Sequence, residues 1–310
     1  MRIQRVFLNA AMVFACGLFL WNIRVDIRMA WYKARGLPMC TGERTQTEPA
    51  DARLLEKSIK DAYPLVTLRE HRGAVGLFDT PQRPYWIALD TGKQQDGRRL
   101  LSYLIAEHQW MEDLDPKQTV QPGDVVFDCG AHVGVFTGFA LGHGASKVVA
   151  VEPDLTNLEC LRSNFATEIT QGRVVIYPMG VWSTATKLKF NTGGDNSGMG
   201  TVIGTGGLGG LEIPTNTIDA IARELQLPRV DYIKMDIEGA EREALKGASR
   251  VLRENKPRLM IEMYHRPDDM EVIPRVISEA NPGYVQICGP CEQSGFGTSY
   301  VLVPHVVYFR

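Results

Sequence analysis

Two kinds of hydrophobic pattern divide the chain. Residues 6–23, VFLNAAMVFACGLFLWNI, form an uncharged run bounded by Arg2 and Arg5 before it and by Arg24, Arg28, Lys33 and Arg35 after it. As a helix rising 1.5 Å per residue the run is about 27 Å long, at the lower limit for a bilayer span. Beyond Gln121 the pattern changes, and short runs rich in Val and Ile alternate with helical periodicity, as in a parallel sheet covered by helices. Strands are predicted at Asp124–Asp128, Lys147–Glu152, Arg173–Pro178, Tyr232–Asp236, Arg258–Met263, Tyr284–Ile287 and Pro304–Phe309, with helices near 133–142, 154–166, 216–226, 239–254 and 268–280. The helix at 239–254 places Ala240, Ala244, Leu245, Ala248, Val251 and Leu252 on one stripe, as a helix covering a sheet requires.

The remaining segments set the domain plan. Residues 37–50 are polar and turn-rich and read as a linker. Residues 51–120 hold a short helix near 52–63, a strand at 85–89 and a helix at 99–114, which together read as an N-terminal cap. Residues 121–310 form one doubly wound α/β domain. Inside it, residues 191–212 carry nine glycines in 22 positions, a poor basis for a core element and a good one for a disordered insertion or a substrate lid.

The segment 1–36 is read as a hydrophobic helix with a basic flank, and an uncleaved single-pass anchor is the favoured assignment; a cleaved signal peptide and an interfacial or buried helix are its alternatives. No small-x-small cleavage site follows the apolar run. The larger count of Arg and Lys on its C-terminal side places the body in the cytoplasm under the positive-inside rule.

Composition narrows the classes. A chain of 310 residues that is 44% hydrophobic and 23% charged folds into a globular body, and Lys+Arg 34 against Asp+Glu 36 advertises no polyanion-binding surface, so nucleic acid is not an expected partner. Six scattered cysteines make no disulfide framework and suit a reducing compartment. Cys288-Gly-Pro-Cys291 has the spelling of a redox site, but the residues after it are a poor helix, so a turn between the last two strands is expected.

The chemistry concentrates at predicted strand ends. Val125-Val-Phe-Asp-Cys-Gly-Ala-His-Val-Gly is a buried strand ending at Asp128, followed by a turn through Gly130 and a helix with Gly134 in its first turn. Glycine permits the tight turn and lets a ligand approach the backbone, at the switch point where open α/β sheets bind nucleotides. The Gly130-x-x-x-Gly134 spacing lacks the Gly-x-Gly-x-x-Gly cradle for a pyrophosphate, which argues against a nicotinamide-dependent oxidoreductase. An acid at the strand end suits instead a cofactor with a cationic amine or sulfonium, such as S-adenosylmethionine. Glu152 ends the second strand, where a carboxylate can accept both ribose hydroxyls.

The fourth strand ends in Asp236 and Glu238, and the fifth leads to Glu262 and His265. These four are candidate bases for a hydroxyl acceptor, with His265 best placed by its unperturbed pKa. Asp236, Glu238 and His265 would suit a hard or borderline cation by ligand type; spacing alone does not make a metal site, and none is assigned.

Through FDCGAHVGVFT, VVAVEPD, DYIKMDIEGAEREALKGA and PRLMIEMYH, in that order, the chain resembles S-adenosylmethionine-dependent methyltransferases of the FkbM type over roughly residues 120–265. The resemblance implies a Rossmann-like class I methyltransferase fold, a mostly parallel seven-stranded sheet with helices on both faces and one reversed strand near its edge. It further implies methyl transfer, usually to a hydroxyl oxygen on a sugar or small metabolite, with Asp128, Gly130, His132 and Gly134 at the methionine end, Glu152 on the ribose and Asp236 with Glu238 at the reaction face. His132 stands where the family often has Asn. The anchor adds a lipid-linked acceptor to the expected substrates. The competing reading from another class is a membrane-anchored binding protein that kept the fold without turnover.

Overall fold

The computed structural model describes residues 49–90, 96–114, 116–191, 201–204, 211–266, 268–296, 299–304 and 306–310. The hydrophobic helix expected at 1–36 lies outside the described residues. Among the described residues no helix is long and apolar enough to cross a membrane.

In chain order the elements are α1 (Pro49–Ala62), β1 (Thr67–Arg72), β2 (Val75–Asp79), β3 (Tyr85–Ala88), α2 (Gly97–Leu114), β4 (Val125–Cys129), α3 (Val135–Gly142), β5 (Lys147–Val151), α4 (Leu155–Asn164), α5 (Ala166–Thr170), β6 (Val174–Tyr177), β7 (Gly180–Val181), β8 (Thr186–Asn191), β9 (Thr201–Gly204) and β10 (Leu211–Asn216). There follow α6 (Ile218–Glu224), β11 (Tyr232–Met235), α7 (Glu241–Lys246), α8 (Ser249–Glu254), β12 (Arg258–Ile261), α9 (Asp269–Ala280), β13 (Gln286–Cys288), β14 (Cys291–Phe296), β15 (Ser299–Pro304) and β16 (Val307–Phe309). Pro49 and Ala50 thus belong to the first helix rather than to the linker.

The main sheet has seven strands in the order β13-β16-β12-β11-β4-β5-β6. β16 runs antiparallel to both its neighbours, and β12, β11, β4, β5 and β6 are parallel. The expected seven-stranded sheet with one reversed strand near its edge is therefore present. Because side chains alternate across a strand, Phe127, Val149, Ile233 and Leu259 pack on one face with Ile221, Leu245, Val251 and Ile273 from α6 to α9. Val126, Val148, Tyr232 and Met260 pack on the other with Trp110 of α2 and Phe136 of α3. The cap thus covers the face opposite to α6–α9.

Several expected elements are resolved differently. The single helix at 239–254 is two, α7 and α8, although its apolar stripe is buried as the periodicity requires. The break has a local cause: the Gly247 carbonyl accepts from Asp219 N at 3.0 Å instead of continuing the helix. Asp219 in turn accepts from Arg250 N and Val251 N, at 2.8 and 2.9 Å, at the start of α8. The helix at 154–166 likewise ends at Asn164, where buried Phe165 leaves helical geometry (φ −124°).

Part of the glycine-rich stretch is strand. β9 and the start of β10 fall within it and join a four-stranded sheet, β7-β10-β8-β9, that the expectation of a loop missed; residues 192–200 and 205–210 lie outside the description. The Cys288–Cys291 turn does not join the last two strands, because the β14–β15 hairpin intervenes and the final strand is only Val307–Phe309. Cys288 is disulfide-bonded, against the reduced state expected for it. Cys129 and Cys160 are free and buried.

Candidate active site

Strand alternation decides where the polar residues meet. Asp128 lies two residues after Val126, Lys234 and Asp236 two and four after Tyr232, and Glu262 two after Met260, so all four belong to the cap-side face at the carboxyl end of the sheet. Register then pairs Lys234 with Asp128 across β11 and β4. Glu152 follows β5 on the same side, its backbone N bonded to Tyr177 O. The sheet edge thereby concentrates the candidate acids along one line.

Asp128 is fully buried and accepts from Thr137 Oγ1 at 2.6 Å through one oxygen. Its other oxygen makes no hydrogen bond and stands 3.8 Å from Lys234 Nζ. Burial holds the Asp128 carboxyl above the usual aspartate range against the pull of Lys234 and Thr137. Lys234, buried in mid-strand, donates to Gly130 O at 3.0 Å and stands 3.8 Å from Asp236 Oδ2. Burial alone would lower its pKa; the surrounding Asp236, Asp128 and Glu262 raise it instead, so it is a fixed cation. Sequence reasoning missed this residue, although a lysine inside an apolar strand between acids was a visible signal.

Glu152 binds the glycine turn to its own strand. Its Oε2 accepts from His132 N at 2.8 Å and its Oε1 from Asp154 N at 2.8 Å, with Asn157 Nδ2 at 3.5 Å. Burial pushes the carboxyl up to about 7 despite these donors. His132 is left-handed (φ 50°), and burial lowers its imidazole to about 4, so it is neutral.

Both glycines adopt the positive φ that the expected tight turn requires. Gly130 (φ +78°) lies so near the neighbouring strand end that a Cβ would come 1.9 Å from Asp236 O. Gly134 (φ +90°) precedes α3, and a Cβ there would come 2.3 Å from Phe165 and 2.6 Å from Leu161. Both are also close-packed against the protein itself. Gly130→Ala is expected to cost about 2 to 3 kcal/mol, since left-handed strain and a backbone clash add. A melt should show the midpoint lowered by roughly 5 °C or more, and an unchanged midpoint would mean that the turn relaxes freely.

The second cluster forms around His265, whose side chain is only 7% exposed. Neither of its ring nitrogens makes a hydrogen bond, and Nε2 stands 3.6 Å from both Asp236 Oδ1 and Glu238 Oε2. Its Nδ1 is 3.1 Å from Glu241 Oε1. Glu241, fully buried, accepts from Ile237 N and Gly239 N at 3.0 and 3.3 Å, which fixes the turn after β11 where Glu238 is left-handed (φ 54°). Tyr264 donates to Glu262 Oε2.

His265 is not poised as the neutral base that its unperturbed pKa suggested. Burial opposes charge, but contact with Glu241 and the fields of Asp236 and Glu262 outweigh it and raise the imidazole to about 10. Glu238 is pushed up to about 7 by burial and by Asp236, against His265. The structure therefore brings Asp236, Glu238, Glu262 and His265 together as expected, and adds Lys234, Glu241 and Tyr264.

The expected S-adenosylmethionine can be tested against this donor set. The amides of Gly130, Ala131, His132 and Gly134 are taken by protein acceptors and make no phosphate cradle; beside the turn lie an unbonded Asp128 oxygen, the Glu152 carboxylate and the Lys234 ammonium, which is committed to Gly130 O. Acceptors at those places match hydroxyl and ammonium donors, so the residues fit a nucleoside with a cationic amino-acid tail.

A model of the methyltransferase FkbM domain matches residues 128–285, just over half of the chain. The chain belongs to the FkbM methyltransferase family. Among characterised relatives of this FkbM-family protein, the hexuronic acid methyltransferase AglP of Haloferax volcanii is 24% identical over 212 residues, 63% of this chain and 85% of that protein. The methyltransferase FkbM of Methylobacillus flagellatus KT aligns in structure with TM-score 0.45 and 18% identity; the match covers 86% of this chain and spans 62% of that protein's length. The precorrin-6y C5,15-methyltransferase of Geobacter metallireducens aligns with TM-score 0.37 and 13% identity over 65% of this chain and 84% of that one.

Proposed function

We propose that this FkbM-family protein transfers a methyl group from S-adenosylmethionine to a hydroxyl oxygen of a sugar, lipid-linked or small-metabolite acceptor. The observation that carries the proposal is the meeting, at the carboxyl end of the sheet, of the buried carboxylates Asp128 and Glu152 with the carboxylate and imidazole cluster at Asp236, Glu238, Glu262 and His265. The relative that methylates hexuronic acid makes an acidic sugar the first acceptor class to test.

S-adenosylmethionine supplies, when bound, an electrophilic methyl on a sulfonium. Glu152 accepts from the ribose hydroxyls, and Asp128 with the Gly130 turn receives the cationic tail. Asp128, Lys234 and His265 are buried and act at low dielectric, whereas Asp236 and Glu238 reach the rim. Holding the acceptor hydroxyl beside the cluster supplies most of the acceleration through orientation. Glu238, 20% exposed at the rim, takes the proton that the hydroxyl loses.

The first test is calorimetric titration of the full chain in detergent with S-adenosylhomocysteine, followed by mass spectrometry of uronic acids and neutral sugars incubated with S-adenosylmethionine. Binding with a mass gain of one methylene on an acceptor supports the proposal; a folded protein that binds no S-adenosylhomocysteine overturns it. The proposal keeps residues 1–36 as a single-pass anchor with the body in the cytoplasm, which carbonate extraction and protease protection of intact cells or vesicles would check.

Glu152 also gives the binding step a pH dependence. Its carboxyl titrates near 7 in the free protein, with Asp154 the charged neighbour that raises it further, and only the ionised form accepts from two hydroxyls. Affinity for S-adenosylhomocysteine is therefore expected to rise about tenfold between pH 6 and pH 8 and to level off above. Glu152→Gln should flatten that profile, and a profile that falls with pH would contradict the role.

A further inference from the structure

We propose that Asp236, Glu262 and His265 form a binding site for one divalent cation, of the hard or borderline kind represented by Mn²⁺ and Mg²⁺, at the acceptor side of the site. One ligand atom from each of the three can be chosen so that all lie within 4.8 Å of one another. Asp236 Oδ1 is 3.6 Å from His265 Nε2, too long for a hydrogen bond. Two ligand atoms about 2.1 Å from a shared cation stand roughly 3.0 to 3.6 Å apart for angles between about 90° and 120°. The spacing is one that two ligands of a shared cation adopt.

The imidazole is the independent indication. Nε2 is buried, bonded to nothing and aimed at the carboxylates, and a buried nitrogen left without a partner is costly. Its other nitrogen rests 3.1 Å from Glu241 Oε1. Neither ring nitrogen makes a hydrogen bond within the protein, and a carboxylate facing Nδ1 is the outer partner that the carboxylate–histidine–metal arrangement uses, with the far nitrogen left for the ion. Glu241 cannot swing away, because two backbone amides hold the same oxygen.

The carboxylates are oriented in the same sense. Asp236 turns Oδ2 toward Lys234 and Oδ1 toward the imidazole. Tyr264 donates to Oε2 of Glu262, and a carboxylate oxygen of Glu262 lies with the Asp236 and His265 ligand atoms. Glu238 Oε2, also 3.6 Å from Nε2, stays at the rim to act on a proton. One imidazole with two carboxylates suits Mn²⁺ or Mg²⁺ with water in the open positions.

A cation here would hold the acceptor oxygen and weaken its O–H bond as a Lewis acid, and would offset carboxylates that otherwise repel an anionic acceptor. The inference deepens the methyltransferase reading and rests on it for its role, but not for its test. The full chain, chelator-treated and in detergent, is titrated with Mn²⁺ alone under electron paramagnetic resonance, and separately with S-adenosylhomocysteine.

One Mn²⁺ per chain, displaced by Mg²⁺, with nitrogen modulation in the pulsed spectrum, is expected. His265→Gln should abolish the nitrogen modulation, and Glu241→Gln should weaken Mn²⁺ binding about 10- to 100-fold. Glu262→Gln, which keeps volume, should weaken it at least tenfold if its packing survives, with S-adenosylhomocysteine affinity as the check on folding. Glu152→Gln should leave Mn²⁺ binding unchanged. Bound S-adenosylhomocysteine with no Mn²⁺ at millimolar concentration, or Mn²⁺ whose nitrogen signal persists in His265→Gln, overturns the cation site and leaves the methyltransferase reading standing. Mn²⁺ held by these residues without S-adenosylhomocysteine binding overturns the methyltransferase reading alone.

Discussion

Glu152→Gln is expected to weaken S-adenosylhomocysteine binding by roughly 30- to 100-fold. Hydrogen bonds to a charged group contribute about 1.5 to 3 kcal/mol each, and loss of about 2 to 2.7 kcal/mol corresponds to that range. Glutamine keeps the shape and one acceptor, so the residual affinity is not zero. A second effect adds to the first. Both carboxylate oxygens already accept from backbone, Oε2 from His132 N and Oε1 from Asp154 N, and the amide group of glutamine must point a donor at one of them. The turn holding His132 in its left-handed conformation then loosens, and the melt should fall by a few degrees. Calorimetry separates the two contributions, because a variant matched in stability to wild type but still 30-fold weaker places the loss on the ligand. Affinity within threefold of wild type would remove Glu152 from the nucleoside site.

How much of this was legible beforehand follows from where the information resides. Short runs rich in Val and Ile mark buried parallel strands, and they placed Asp128, Glu152, Asp236 and Glu262 at strand ends to within two residues. Register is not readable from one strand, so the pairing of Lys234 with Asp128 needed the fold. The first strand of the cap, TLREHR, is exposed along its whole length and has no alternation to see; its partner β2 selects it. β8, TKLKFN, does alternate, but the glycines after it suggested a loop. The stripe at 239–254 is right as a surface and wrong as one helix, since the break depends on Asp219, which lies on another helix. His265 shows the same limit in chemical form: its identity is local, while its raised pKa comes largely from Glu241 and Asp236, which the sheet brings up from the segment after β11, beside the nearby Glu262.

Lys234→Met is expected to produce the largest loss of stability, about 3 to 5 kcal/mol, which lowers the melting midpoint by roughly 10 °C. Methionine fills the volume, so the cost is electrostatic. Asp128 is wholly buried, and the ammonium 3.8 Å away is the nearest cation to its unbonded oxygen; without it the carboxylate is a buried charge held by Thr137 alone. Asp236 loses the same cation, but at 32% side-chain exposure water replaces part of it. Gly130 O loses its donor as well, so the turn that carries the nucleoside site loosens with the sheet.

The sign of the pH dependence follows from Asp128. Its carboxyl is already raised in the folded protein and rises further once the cation is gone. A raised acid is protonated in the fold at a pH where the unfolded chain has released the proton, so stability falls as pH rises from the unfolded pKa, about 4, to the folded one. The deficit of Lys234→Met relative to wild type should therefore be smaller at pH 5 than at pH 8. Adding Asp128→Asn, which removes the stranded charge, should recover part of the midpoint at pH 8 and almost nothing at pH 5. A deficit independent of pH would assign the effect to the lost Gly130 bond, and a midpoint within 2 °C of wild type would mean that Lys234 neutralises nothing.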